Sequence, residues 1–180
     1  MARIHGEDIM LREYREDDLK YIRKWVNNPQ ITKWLSDAFL TPHTYQTTEK
    51  YLKHILDYTG KEQIYFVIAN KDTGEYIGQL DLIRIDWKNR VGELGIVIGT
   101  ENNRGKGYGT KAIKLLQKYV FESLNLNRLE LELRGYNKRA YKCYKKCGFI
   151  EEGRKRKEFY INGEFTDTII MSILKEEYKK

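Results

Sequence analysis

The segment Arg104-Gly105-Lys106-Gly107-Tyr108-Gly109-Thr110 stands between an apolar, strand-like run at residues 94–99 and an amphipathic run in which Ala112, Leu115, Leu116, Tyr119 and Val120 recur at helical spacing. Its three glycines let the backbone enter conformations closed to other residues and turn its amides inward. A helix starting directly behind them adds partial positive charge, so strand, loop and helix together make a cradle for a phosphate-like anion. After the helix, residues 128–134 alternate Leu129, Leu131 and Leu133 with Glu130, Glu132 and Arg134, the pattern of a strand with one covered face. Two strands joined through a helical crossover lie parallel. This stretch therefore commits the middle of the chain to a parallel pair with an anion-binding turn between its members.

The flanks supply antiparallel partners. Residues 9–12 form a short strand, and residues 17–28 read as a helix burying Leu19, Ile22 and Val26, stopped by Asn27-Asn28-Pro29. A second helix is predicted over 44–58, with Tyr45, Thr48, Leu52, Ile55 and Leu56 on one face. Residues 63–70 and 76–85 are β-rich and joined by a turn at 71–75, and 91–99 makes the third strand of a meander. Ala140, Cys143, Tyr144 and Cys147 share one face of a short helix closed by Gly148. Strands at 149–160 and 165–174, with Asn162-Gly163 between them, close the chain as a hairpin. No linker-like segment interrupts the 180 residues, so the expectation is one α/β (α+β) domain over 1–180.

Several function classes drop out. No apolar run approaches the roughly 20 residues of a membrane helix, and the start at Met1-Ala2-Arg3 lacks the apolar core of a secretion signal. Cys143 and Cys147 lie four apart, where a bond between them would not cross-link the fold, so they are expected free and reduced, in a cytoplasmic protein. The net charge of +7 is uneven: the first hundred residues are close to neutral and the basic excess lies in the half that holds the glycine loop. Zinc-ligand spacing, a helix-turn-helix signature and a base-stacking strand motif are all missing, so no nucleic-acid partner is expected. His5, His43 and His54 have no metal-site spacing, and no metal is expected.

The register of the loop narrows the ligand. A nucleotide P-loop needs Gly-x-x-x-x-Gly-Lys-Ser/Thr and a dinucleotide fingerprint needs Gly-x-Gly-x-x-Gly, and neither fits. What fits is Arg-x-x-Gly-x-Gly at Arg104, Gly107 and Gly109, where loop amides take a pyrophosphate and Arg104 adds charge-assisted hydrogen bonds. About thirty residues on stands Asn137-x-x-Ala140-x-x-x-Tyr144-x-x-x-Gly148-Phe149. Taken alone, Tyr144 reads as a core aromatic. Together the two segments resemble the acetyl-CoA-binding core of the GNAT superfamily of N-acetyltransferases, and the likeness covers nearly the whole chain.

That resemblance implies a mixed, mostly antiparallel sheet of six to seven strands with a splayed parallel pair, flanked by about four helices. It implies that the strand through Ile96, Val97 and Ile98 offers its main chain to the pantetheine arm. The amides of Gly105, Lys106, Gly107, Tyr108, Gly109 and Thr110 would hold the pyrophosphate, Asn137 would bond the CoA arm, and Tyr144 would lie beside the thioester sulfur. Acetyl-CoA is then a co-substrate, the second partner is an amine, and a homo-oligomer is admitted. A likeness to ribosomal-protein N-terminal acetyltransferases and bacterial spermidine N-acetyltransferases is carried by Leu11-Arg12, Trp87-Lys88-Asn89-Arg90 and Phe159-Tyr160-Ile161-Asn162-Gly163-Glu164. Polyamine, protein N-terminus and small-molecule amine all stay open as acceptors.

The implied chemistry is direct attack of an amine on a thioester. An alkylamine of pKa near 10.4 is almost wholly protonated at pH 7, and reaching its neutral form costs about 4.6 kcal/mol. A general base is therefore useful, with Glu93 first and Asp81 second, acting directly or through water. Tyr144 is matched to protonate the departing thiolate, and amides near Val97 to polarise the carbonyl. The rival is a non-catalytic acyl-CoA-binding or sensor domain on the same fold, which needs neither Tyr144 nor a carboxylate.

Overall fold

A single eight-stranded sheet organises residues 3–178, the part of the chain that the computed structural model describes; Met1, Ala2, Lys179 and Lys180, and with them the outer ends of the expected domain and of the leader reading, lie outside it. The strands are β1 (Ile4–His5), β2 (Ile9–Arg12), β3 (Ile64–Asn70), β4 (Tyr76–Asp86), β5 (Val91–Ile98), β6 (Arg128–Arg134), β7 (Ile150–Ile161) and β8 (Glu164–Leu174). Their order across the sheet is β1-β2-β3-β4-β5-β6-β8-β7, and every neighbouring pair is antiparallel except β5–β6. The count exceeds the expected six to seven because the two-residue β1 pairs with β2. So short a run carries no periodicity to read.

Side-chain alternation divides the core between the two faces of the sheet. On one face Leu80, Leu82 and Leu94 pack with Ala112, Ile113 and Leu116 of α4 (Tyr108–Lys118) and with Tyr144 of α5 (Lys138–Lys146). On the other, Val67, Ala69 and Tyr76 pack with Ile22 and Trp25 of α1 (Leu19–Trp25) and Leu52 and Ile55 of α3 (Tyr45–Asp57). Each such buried side chain contributes about 1.5–3 kcal/mol over its exposed state. A buried bidentate ion pair, Arg12 to Asp18 with both bonds at 2.8 Å, ties β2 to the start of α1. Removing either partner would strand a charge at a cost of about 3–5 kcal/mol.

Local chemistry corrects two expectations. The first helix is shorter than 17–28: a 3-10 turn at Glu16–Asp18 precedes α1, and Asn28-Pro29 starts a further short helix, α2 (Pro29–Thr32), as well as stopping α1. Asn28 caps α2 by accepting from the Gln30 amide at 3.0 Å, with Pro29 in the first-turn position that tolerates it. Along α3 only Thr48, Leu52 and Ile55 are buried, while Tyr45 and Leu56 face solvent. α4 passes into one π turn at Tyr119–Ser123. The closing hairpin turns where expected, with Asn162 and Gly163 both at positive φ. No helix among the described residues is long and apolar enough to cross a membrane.

Candidate active site

The parallel pair holds together over only three register positions, Val91 with Arg128, Gly92 with Leu129 and Glu93 with Glu130. Beyond them β5 stays on β4 as far as Ile98 opposite Gly78, and β6 stays on β8 as far as Arg134 opposite Thr168. The two strands diverge, and residues 94–98 of β5 face the gap with one main-chain edge outside the ladder. At the point of divergence β4 carries a bulge at Ile83, which adds twist there. Ile96, Val97 and Ile98, expected to meet the pantetheine arm, therefore lie on an open edge. Ile96 and Ile98 lean toward the α4–α5 face and Val97 toward the α1–α3 face.

The glycine loop reaches the same gap. Gly105 and Gly107 hold φ of 78° and 82°, and a side chain at either would meet no atom within 4 Å, so these glycines serve backbone conformation in an open loop. Gly107 is the N-cap of α4 and supplies no side-chain acceptor to the first amides, those of Tyr108, Gly109 and Thr110. Uncapped first-turn amides behind a left-handed glycine are of the kind that can receive an anion. A Cβ on Gly109 would lie 3.7 Å from Cys143 Sγ and 4.0 Å from Ile96 Cδ1, so the loop, α5 and β5 converge there. Lys106 is exposed, whereas Tyr108 packs on the core. Arg104 donates through Nη1 to the Gln30 carbonyl at 2.9 Å and so engages α2.

Asn137 caps α5 by accepting from the Ala140 amide at 3.1 Å. That contact places it at the end of β6, beside the gap. Tyr144 is buried and lies edge-on to Phe149, with ring centres 5.8 Å apart. Burial, with Cys143 and Cys147 beside it, pushes its phenol well above the ordinary tyrosine range. Cys147 is buried and Cys143 half-buried, its sulfur 3.3 Å from Thr110 Oγ1 on the first turn of α4. The neighbouring Cys147 side chain, helped by Thr110, Lys146 and Arg139, holds the Cys143 thiol below the ordinary range against the opposing effect of burial.

The two candidate bases lie on the opposite face. Glu93 occupies the last paired position of β5 and bonds Arg84 Nε at 3.1 Å, and Arg84 also bonds Glu130 at 2.9 Å. Asp81 is only 5% exposed, is register partner to Gly95, and among the described residues takes part in no ion pair. Burial pushes its carboxyl up to about 7 against the opposing pull of the Phe66 amide and the Tyr14 hydroxyl. A polar chain runs from this place: Gln79 Nε2 donates to Tyr51 at 3.0 Å, Tyr76 donates to Gln79 Oε1 at 3.3 Å, and Trp25 Nε1 donates to Tyr76 at 3.1 Å. Sequence reasoning missed Tyr14, Tyr51 and Gln79 as site residues. Gln79 was findable as a polar residue sharing the Asp81 face of an apolar strand. Tyr14 and Tyr51 come from distant segments that carry no local signal.

A strap from α2 onward spans the mouth of the gap. Gln30 holds Arg104 beyond β5, while beyond β6 Tyr136 donates to the Lys33 carbonyl, Trp34 packs on Tyr136 at 5.3 Å, and Asp37 meets Arg134 at 3.4 Å. Trp25 and Phe39 pack together in the α1–α3 core, Trp34 lies against the strap's partner Tyr136, and Tyr45 is exposed.

Comparison with known proteins agrees with this geometry. The family described as acetyltransferase (GNAT) domain matches residues 8–150. A spermidine N(1)-acetyltransferase of Escherichia coli (strain K12) is 33% identical over 174 residues, 96% of this chain and 89% of that protein. A putative ribosomal N-acetyltransferase of Bacillus subtilis (strain 168) is 36% identical over 106 residues, 59% of this chain and 57% of that one. Among solved structures, spermidine N-acetyltransferase from Vibrio cholerae in complex with CoA and spermine superposes with a TM-score of 0.82 at 30% identity, covering 96% of this chain and 98% of that one.

Proposed function

This chain belongs to the GNAT acetyltransferase family and is an N-acetyltransferase, and on that premise we propose that it moves an acetyl group from acetyl-CoA to a primary amine of a polyamine by direct attack. The observation that carries the reading is the divergence of β5 from β6 after Glu93 and Glu130, with the uncapped start of α4 beside it. The pyrophosphate lies on the amides at residues 105–110, and the pantetheine arm adds to the open edge at Ile96, Val97 and Ile98, with Asn137 opposite. The arm thus makes the strand contacts that β6 leaves unmade, and its thioester is led between the two faces of the sheet.

The two faces then divide the labour. Tyr144, on the α4–α5 side, keeps its proton at physiological pH and gives it to the departing CoA thiolate. Asp81, on the α1–α3 side, takes the proton from the acceptor. We place it before Glu93 because a carboxyl near 7, in no ion pair among the described residues, is poised as a base, while Glu93 is held by Arg84. The polyamine assignment is supported by the names of the relatives and by this buried carboxylate. A sensor domain would need neither Tyr144 nor Asp81.

The test is incubation with acetyl-CoA and a panel of polyamines, Ala- and Ser-starting peptides and aminoglycosides, following free CoA thiol. Polyamine-dependent thiol release is the expected result. Release with peptides alone would move the acceptor class, and none across the panel would sink catalysis.

A further inference from the structure

The carboxylate proposed above as the base has only one of its oxygens engaged by the protein. The Phe66 amide donates to Asp81 Oδ1 at 3.1 Å, the Tyr14 hydroxyl donates to the same oxygen at 3.4 Å, and among the described residues no donor meets Oδ2. A carboxylate buried only for stability is best served by donors on both oxygens. This one is fixed on one side and open on the other.

Its surroundings are built rather than incidental. The titratable groups facing Asp81 are all tyrosines: Tyr14 after β2, Tyr51 on α3, Tyr65 on β3 and Tyr76 on β4. β5 contributes Gly95, which has no side chain, and among the described residues no lysine, arginine or histidine acts on the carboxyl. Burial raises all four phenols, so Asp81 is the group among them that titrates near neutrality. Tyr14 is itself buried and held edge-on to Tyr65, ring centres 6.5 Å apart, so its hydroxyl cannot swing far from Oδ1.

We propose that Tyr14 is a positioning residue for the acetyl transfer: with the Phe66 amide it fixes Oδ1 of Asp81 and thereby presents Oδ2 as the atom that accepts the acceptor's proton. In that step an ammonium N–H bond breaks, the proton passes to Oδ2, and the electron pair left on nitrogen attacks the thioester carbon. The inference rests on Asp81 being the base, and the experiment keeps the two apart.

The test pairs NMR titration of the 13C-labelled Asp81 carboxyl in the free enzyme with the pH profile of kcat/KM for wild type, Tyr14→Phe, Tyr65→Phe and Asp81→Asn. Losing one neutral donor to the carboxylate should raise the Asp81 midpoint by about half to one pH unit, and move the lower inflection of kcat/KM equally, with KM for acetyl-CoA unchanged. Tyr65→Phe, whose hydroxyl bonds Gln63 at 2.6 Å, should leave the midpoint in place. An unmoved midpoint in folded Tyr14→Phe overturns the role of Tyr14 whatever Asp81 does. A wild-type profile in Asp81→Asn instead removes Asp81 as base. Should Tyr14→Phe not fold, 3-fluorotyrosine at position 14, a stronger donor of the same shape, must lower the midpoint, and an unchanged one rejects the proposal.

Discussion

Asp81 of β4 and Gly95 of β5 are register partners, and Gly95 is the one residue of the diverging segment 94–98 without a side chain. The pairing leaves room beside a buried carboxylate where β5 has just parted from β6. A Cβ at Gly95 would come within 3.2 Å of Ile83 Cγ2, an exposed side chain that can give way. Gly95→Val should therefore fold, with a change in melting temperature of only a few degrees. It should raise KM for the amine about tenfold or more while leaving acetyl-CoA affinity near wild type. Equal losses for both substrates would place the acceptor elsewhere.

Asp81 also carries a stability signature. Its folded-state pKa of about 7 lies above the usual Asp value, so the fold binds that proton more tightly than the unfolded chain does. The contribution of this group is greatest below about pH 4 and is lost as pH rises to about 7. Asp81→Asn, which mimics the neutral form, should thus be more stable than wild type at pH 8, by an amount on the order of 2 to 4 kcal/mol, and nearly inactive. Denaturant melts at pH 4 and pH 8 check the sign; greater wild-type stability at pH 8 would contradict the burial argument.

Tyr144→Phe should keep the packing against Phe149 and lose only the hydroxyl. The expected result is a fall in kcat of roughly 10- to 100-fold with little change in KM for acetyl-CoA. An acetyl donor with a more acidic leaving thiol should recover part of that loss. Full activity in the variant would take Tyr144 out of the proton transfer.

Gly107 begins α4 at φ 82° with open space around it, so alanine there meets no clash and suffers only backbone strain. Gly107→Ala should cost about 1–2 kcal/mol of helix start. If the strain is relieved by turning the first-turn amides, KM for acetyl-CoA rises about fivefold or more. Isothermal titration with CoA measures this directly, and unchanged CoA binding would argue against the loop as the pyrophosphate site.

Cys143, against Thr110 and the first turn of α4, should react with iodoacetamide well before the buried Cys147. A helix N-terminus and the neighbouring Arg139 and Lys146 favour its thiolate. Saturating CoA should slow the reaction about tenfold if the donor runs past this sulfur. Peptide mapping by mass spectrometry separates the two cysteines, and equal rates with and without CoA would put the donor path elsewhere.

Much of this architecture was legible from residue spacing. The glycine loop, the alternation of Leu129, Leu131 and Leu133, and the Asn162-Gly163 turn each fix backbone conformation within a few residues, so local sterics and side-chain period are enough to place them. Asn28-Pro29 shows the limit even of local reading, because the same dipeptide that stops α1 caps and opens α2. Asp81 and Glu93 could be named as carboxylates on neighbouring strands. Their order could not be settled, since nothing local says that Arg84 reaches Glu93 or that Tyr14 and Tyr51, from two other segments, enclose Asp81.

The sequence by itself thus determined the parallel crossover, the glycine turn that opens α4 and the helix that carries Tyr144, because each is set by side-chain period and backbone sterics within its own segment of chain. Only the tertiary structure decided how far β5 and β6 stay together, which carboxylate is left unpaired in the dark of the sheet, and which of its oxygens is open. Those depend on the bulge at Ile83, the burial of Asp81 and the approach of Tyr14 across sixty-seven residues of sequence, and burial and dielectric are properties of the packed molecule rather than of any segment.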